Sequence, residues 1–504
     1  MPHVVTQACC ADASCVFACP VNCIHPSPDE PDFLAAEMLH IDPEACVDCG
    51  ACVDACPVDA IVPHRKLEPH QQEFRDINAA FYQQPRPRTP LALIPISPRK
   101  QPSPDLLRVA IVGSGPAAMY AADELLKQRD VAVTMHERLD RPYGLARYGV
   151  APDHEATRQV ADLFDIISAD RRLEQRFGTE LGVDVTDAEL HETHHAVIYA
   201  TGASSDRRLG IPGEDLPGSV AATDFVAWYN GHPDHADRDY PLDHERVVII
   251  GNGNVALDMA RILTTDPERL AATSIAPNAL EALRASAVRE VVILGRRGPA
   301  QAAYTLPELL GLARKHPARL VIDKQELHID AATELQRNNG TLAPATERKL
   351  AIAEEIALNM GEATADERRI VLRYLVSPRE IHGDGRVASI TAEHNELVEQ
   401  DGRALAVGTG HTETLSTGLV IRSVGYRGTA LPGVPFDEAR GIIPNIEGRV
   451  TGADGALRQG SYVTGWIKRG PSGFIGTNKT CAKETVDHLI EDYNNGLLRG
   501  AMRR

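Results

Sequence analysis

The run Cys46-Val-Asp-Cys49-Gly-Ala-Cys52-Val-Asp-Ala-Cys56-Pro57 constrains this chain more than any other stretch. Its spacing is C-x2-C-x2-C-x3-C-P. One tight loop can wrap three such thiols around a single centre, while a fourth cysteine followed by proline turns away. Thiolates are soft ligands, and this spacing holds iron–sulfur clusters, the last cysteine serving the other cluster where there are two. Zinc sites space their cysteines differently. A disulfide framework needs an oxidising compartment, and no apolar leader segment precedes these cysteines. Nine of ten cysteines fall in the first 56 residues, leaving only Cys481 outside, so a metal module is joined to something else.

The loop occurs twice. Displaced by thirty-seven positions, Cys46, Cys49, Cys52 and Cys56 fall on Cys9, Asp12, Cys15 and Cys19, and Cys56-Pro-Val-Asp-Ala60-Ile61 falls on Cys19-Pro-Val-Asn-Cys23-Ile24. Such self-similarity marks an internal duplication. The expected ligand sets are Cys46, Cys49, Cys52 and Cys19 for one 4Fe–4S cluster, and Cys9, Cys15 and Cys56 for the other. Three thiolates suit a 3Fe–4S cluster, whereas a fourth iron would need Asp12 or Cys10. The second cluster is therefore 3Fe–4S or 4Fe–4S. Cys23 aligns with Ala60 and reads as a buried, unligated thiol. Residues 1–65 resemble the bacterial two-cluster ferredoxins.

At 504 residues the chain is too long for one core, and about three domains are expected. Its net charge of −18 argues against a nucleic-acid partner, which needs a basic face. No apolar run approaches bilayer length. Reduced thiols without a leader predict a cytoplasmic protein. Residues 66–105 read as a linker, with Pro85, Pro87, Pro90, Pro95, Pro98, Pro102 and Pro104 crowded into its second half.

Beyond it, Leu107-Arg-Val-Ala-Ile-Val-Gly113-Ser-Gly115-Pro-Ala117-Ala118 reads as an apolar strand entering GxGxxA and a helix. The glycines permit a tight turn and close approach of a pyrophosphate to the helix N-terminus. Glu137 ends the next strand, about twenty residues on, where an acceptor for a ribose hydroxyl is expected. Arg141-Pro-Tyr-Gly144-Leu145-Ala-Arg147-Tyr-Gly-Val-Ala-Pro-Asp-His154 is irregular, as cleft-lining loops are. Glu155 to about Arg176 reads as helix. A second unit begins at Arg246-Val-Val-Ile-Ile-Gly251-Asn-Gly253-Asn254-Val255-Ala256. Its next strand ends in Arg296-Arg297 with no acid, which suits a 2′-phosphate and so NADP(H). The long interval from Gly253 to Arg296 requires an insertion over 264–289. Gly465-Trp466-Ile-Lys468-Arg469-Gly470-Pro-Ser-Gly473-Phe474-Ile475-Gly476-Thr477-Asn478 is a glycine-rich loop feeding a last helix.

The two glycine loops, RPYGLARYGVAPDH, GNGNVALD, RRGPAQAAYTLPEL and GWIKRGPSGFIGTNK occur in order. Together they make residues 106–504 similar to the adrenodoxin-reductase type of ferredoxin–NADP reductase. With its N-terminal module, the chain resembles the bacterial ferredoxin/ferredoxin–NADP reductase fusions. The resemblance implies an α+β two-cluster ferredoxin domain over 1–65, followed by an α/β flavoprotein with two Rossmann-like dinucleotide-binding domains. The FAD domain would be split into 106–203 and 417–504, with the NADP domain at 204–416 between. It further implies FAD contacts at Gly113, Gly115, Ala117, Glu137, Leu145, Leu181, Trp466 and Gly473, Phe474 and Ile475. NADP contacts would fall on Gly253, Asn254, Val255, Ala256, Arg296, Arg297, Glu308 and Gly473. His154 and Glu308 match polar groups near the flavin, with proton handling as their expected role.

A nicotinamide nucleotide gives two electrons together, whereas an iron–sulfur cluster takes one at a time, and a flavin serves both. The expected order is NADPH, FAD, clusters, then an external one-electron acceptor protein or ferredoxin. The rival reading, an electron-input subunit of a glutamate-synthase-like complex, shares two nucleotide loops and N-terminal cysteines.

Overall fold

The computed structural model describes residues 3–83, 96–359, 367–400 and 403–498; most of the proline-rich stretch, at 84–95, lies outside them. In the N-terminal module the thirty-seven-residue displacement governs structure as well as sequence. Helix Ser14–Ala18 maps onto helix Ala51–Ala55. Strand His3–Val5 pairs antiparallel with Ile61–Pro63, and Ile24–His25 with His40–Ile41, so each copy lends a strand to the other. Positive φ recurs at the same displacement: Ala11 and Asp48, Ala13 and Gly50, Asn22 and Asp59.

This module runs past its expected end. Residues 66–83, read as the start of the linker, include helix Glu73–Phe81, which packs on the module's strands. Buried Asn78 stitches it there. Its side chain accepts from Val5 N and Ile41 N at 3.2 and 2.9 Å and donates to Val5 O at 2.9 Å.

Two sheets follow, the first parallel except at its 445–463 end, where three strands pair antiparallel. The first runs 445–446, 449–451, 457–463, 196–199, 107–112, 131–136, 173–176. Leu107–Val112 lies within it with nearly every residue buried, as a strand covered on both faces must. Leu173–Arg176 is the edge strand, not the end of a helix; the helical stretches stop at Ser168. The second sheet runs 219–221, 419–422, 246–250, 290–294, 369–373, 319–321, all parallel. Leu419–Arg422 therefore lies inside this sheet, between Ser219–Ala221 and Arg246–Ile250; the boundary expected at 417 falls after 422. The expected insertion holds two short helices, Pro267–Leu270 and Pro277–Arg284. An antiparallel sheet over 376–416 caps the same domain. No helix among the described residues is long and apolar enough to cross a membrane.

The N-terminal module is wedged between both nucleotide domains. Val58, Ala60 and Cys10 share a core with the helices Pro116–Leu126 and Thr477–Asn494. On the other side, Glu73 pairs with Arg314 and Arg348, and Glu37 with Lys349. The backbone N–H of Gly476 donates to Cys10 O at 2.9 Å.

Ala13 carries a φ of 60° where its counterpart is glycine. A left-handed alanine costs about 1–2 kcal/mol, partly offset by the extra freedom glycine gives the unfolded chain. Ala13→Gly is expected to stabilise the module by about 0.5–1 kcal/mol, and Gly50→Ala to destabilise it by a similar amount. Denaturant titration read by loss of iron–sulfur absorbance checks both.

Candidate functional site

Cys19, Cys46, Cys49 and Cys52 line one cavity, and Cys23 lines it with them. Cys23 is buried as expected, but it is no bystander: its Sγ lies 3.4 Å from Cys19 Sγ. Its hydrogen bonds lower the proton affinity of the Cys19 and Cys46 thiols, in the direction of the thiolate form. Cys49 is exposed. Cys9, Cys15 and Cys56 gather across the module, close enough that the charges of Cys9 and Cys56 act on Cys15. Burial dominates there and pushes Cys9 up to about 11. Positive φ at Ala11, Ala13, Asp48 and Gly50 bends both loops beside the thiols, the kind of backbone turn that forms a concavity suited to an anionic centre. The donor set and the cradle both fit iron–sulfur clusters. Asp12 is buried, but its carboxylate is engaged by Ser14 N at 3.2 Å, by Ser14 Oγ and by Lys479 Nζ at 3.4 Å. Cys10 faces the helix carrying Tyr120.

The first glycine loop is a cradle that side chains would fill. Gly113 has φ +100°, and a Cβ there would lie 2.7 Å from Ala200 O, whereas the space beside Gly115 is open. Glu137 Oε2 accepts from Ser114 N at 3.0 Å and from Ser114 Oγ at 2.6 Å, so the acid stands at the loop. Gly144, next to Leu145, crosses so close that its Cβ would sit 3.1 Å from Gly115 Cα. Gly465 approaches Ala117 in the same way, at 2.6 Å, which brings Trp466 in from the far end of the chain. Trp466 Nε1 donates to Ser472 O at 3.0 Å, and Phe474 N donates to Thr477 Oγ1 at 2.9 Å, shaping the loop at Gly473. Ile475 packs against the core shared with the N-terminal module. Leu181 is the exception: its side chain is buried in the apolar layer with Val112, Val197 and Ile467.

At the second loop, a Cβ on Gly251 would meet Ser423 O at 2.2 Å, and the space beside Gly253 is open. Val255 and Ala256 form the first turn of the helix Asn254–Thr264, and Asn254 Oδ1 accepts from Thr305 N at 2.8 Å. Arg296 and Arg297 follow the next strand with their backbones pinned by Asn395 and Leu375. Their guanidinium groups enter no ion pair among the described residues.

Between the two loops, His154 Nε2 lies 3.7 Å from Glu308 Oε2 and 3.8 Å from Asp258 Oδ1. These gaps are too long for direct hydrogen bonds and leave room for a bridging group. Arg261 lies beside them, partly buried, and pairs with Asp153 at 2.6 Å and Asp258 at 2.9 Å. Burial is the largest influence on Glu308 and raises its pKa above the usual carboxylate value; Asp258 adds to the rise, and His154 and Arg261 oppose it. Sequence reasoning missed Asp258 and Arg261. The first lies in the quoted GNGNVALD, one helical turn past the glycines, and only the fold turns it towards His154.

Two dinucleotide cradles facing a thiol-lined module define a pyridine-nucleotide oxidoreductase carrying an iron–sulfur domain. A family described as pyridine nucleotide-disulphide oxidoreductase matches residues 107–297, and a 4Fe-4S binding domain matches residues 39–62. The chain is 51% identical to the probable ferredoxin/ferredoxin–NADP reductase of Mycobacterium tuberculosis, over 99% of this chain and 85% of that protein. It is 39% identical to the mitochondrial NADPH:adrenodoxin oxidoreductase of Arabidopsis thaliana, over 78% and 84%. The structure of Mycobacterium tuberculosis FprA in complex with NADPH matches with a TM-score of 0.72 and 45% identity, covering 78% of this chain and 87% of that one. The chain belongs to the ferredoxin/ferredoxin–NADP reductase family and is an oxidoreductase. The glutamate-synthase-like reading is not favoured.

The free arginine pair makes a sharp test. Replacing both Arg296 and Arg297 by alanine is expected to weaken binding of NADP(+) by about 100-fold, each charge-assisted contact contributing about 1.5 kcal/mol. Binding of NAD(+) should change little. Calorimetric titration with the two nucleotides checks it.

Proposed function

We propose that this chain takes electrons from NADPH at the second glycine loop, passes them to FAD in the first cradle, and delivers them through two iron–sulfur clusters to an external one-electron acceptor protein or ferredoxin. The observation that carries this reading is the backbone contact between Gly476 and Cys10. It joins the loop at the flavin cradle to the loop that bears Cys9 and Cys15.

FAD, when bound, takes a hydride and gives up electrons singly. Gly113, Gly115 and Ala117 leave room for its pyrophosphate at a helix N-terminus, and Glu137 accepts its ribose hydroxyls. Leu145, Trp466, Gly473, Phe474 and Ile475 wall the crevice and exclude water. Leu181 contributes packing beneath it. Gly253, Asn254, Val255 and Ala256 receive the nicotinamide nucleotide's pyrophosphate, and Arg296 and Arg297 its 2′-phosphate. His154 and Glu308 hold or release a proton beside the reacting ring, with Asp258 and Arg261 fixing the charge around them.

Cys19, Cys46, Cys49 and Cys52 hold a 4Fe–4S cluster. Cys9, Cys15 and Cys56 hold the second, as 3Fe–4S. Asp12 favours the smaller cluster because Ser14 and Lys479 already engage its carboxylate.

Low-temperature electron paramagnetic resonance tests the whole sequence of transfers. The protein as isolated should show the signal of an oxidised 3Fe–4S centre. Anaerobic NADPH should remove that signal and bleach the flavin. Protein that binds NADPH and bleaches while every cluster signal stays unchanged would refute the proposal.

A further inference from the structure

Helix Leu306–Lys315 carries Glu308, and the N-terminal module completes it at two points. The first-turn amide of Leu306 donates to Glu37 Oε2 at 2.6 Å, while the helix's own N-cap residue, Thr305, supplies no side-chain cap. Further in, Gln7 Nε2 donates to Glu308 Oε2 at 3.1 Å across 301 residues of sequence. Gly311 stands three positions past Glu308, on the same helix face. A Cβ there would meet the Gln7 carboxamide at 2.4 Å. A mid-helix glycine costs about 1 kcal/mol relative to alanine. This one is accounted for by what it admits, which is the Gln7 side chain.

Gln7 is itself held. It lies in the turn after strand His3–Val5, whose pairing with Ile61–Pro63 is extended by the donation of Thr6 N to Ala60 O at 2.8 Å. The module thus presents one carboxamide, on a fixed stem, to one carboxylate of the reductase.

We propose that Gln7 is a positioning residue for Glu308, by which the iron–sulfur module reaches into the reductase and fixes the carboxylate that faces His154. The inference rests on the reading of Glu308 as a proton-handling group. Gln7 Nε2–H has only one role at that oxygen: it donates, and so favours the ionised carboxylate turned towards His154 Nε2. The other groups facing Glu308 are His154 from its loop and Asp258 and Arg261 from the helix Asn254–Thr264. Burial and Asp258 raise its proton affinity, whereas His154, Arg261 and Gln7 lower it. Removing Gln7 takes away one of the three restraints. The same contact links docking of the module to the chemistry of the site, because Gln7 leaves Glu308 whenever the module lifts away.

The test uses the full-length holoenzyme. Flavin reduction by NADPH is followed by stopped flow across pH, and NADP(+) binding across pH by the shift in flavin absorbance. Glu308→Gln identifies the limb that belongs to this carboxyl. In Gln7→Ala that limb should move to higher pH by about half to one unit, in both readouts, with the cluster and flavin spectra unaltered. Gly311→Ala, which displaces the carboxamide without touching Gln7 itself, should move it the same way. If both variants superimpose on the parent while Glu308→Gln shifts the profile, Gln7 has no such role and the reading of Glu308 stands. If Glu308→Gln leaves both profiles unchanged, the proton-handling reading fails and the inference with it.

Discussion

Gly476 and Cys10 meet backbone to backbone, and the space a side chain would occupy at Gly476 is filled by Asp12 N at 2.3 Å. That approach is open only to glycine, and the rest of the arrangement follows from it. It brings the thiol-bearing loop of the N-terminal module against the loop that feeds the last helix, without an intervening side chain. Lys479, on the next helix, reaches Asp12 and Ser14 and reinforces the contact with charge.

Charge distribution explains why the module sits where it does. There is no Lys or Arg before Arg65, against ten Asp and Glu residues. On the reductase Lys349 and Lys479 pair with two of these, Glu37 and Asp12, and Arg314 and Arg348 pair with Glu73 further along the module. Half-exposed pairs such as Glu73 with Arg314 contribute little each. Lys349 is almost wholly buried, and Glu37 serves both it and the Leu306 amide, so this pair fixes orientation as well as attraction. Covalent linkage then keeps the module's local concentration high, and docking needs no large affinity of its own. Cys49, in the other thiol set, is exposed.

The parts of the fold legible in the sequence are those where chemistry dictates residue type at fixed spacing. Thiolate spacing announced the cavity of Cys19, Cys46, Cys49 and Cys52, and glycine spacing announced both cradles, because no other residues do those jobs. What stayed hidden has no local signature. Ala13 and Asp48 do not advertise a positive φ; the repeat imposes it. Leu419, Val420 and Ile421 are apolar and buried, and a strand buried on both faces reads alike whichever parallel sheet it joins. Leu173–Arg176 is too short and polar to show a strand's alternation. Cys23 aligned with an alanine and so looked dispensable, yet the loop turns its sulfur towards Cys19. Asp258 and Gln7 reach the site through tertiary structure alone, the latter from 301 residues away.

A docked module makes electron delivery a first-order event within one chain. Stopped-flow mixing with saturating NADPH, read at the iron–sulfur absorbance over a roughly hundred-fold range of protein concentration, measures this directly. The expected result is a cluster-reduction rate independent of protein concentration. A rate that rises in proportion to concentration would mean that clusters are reduced by collision between molecules, and would contradict the account.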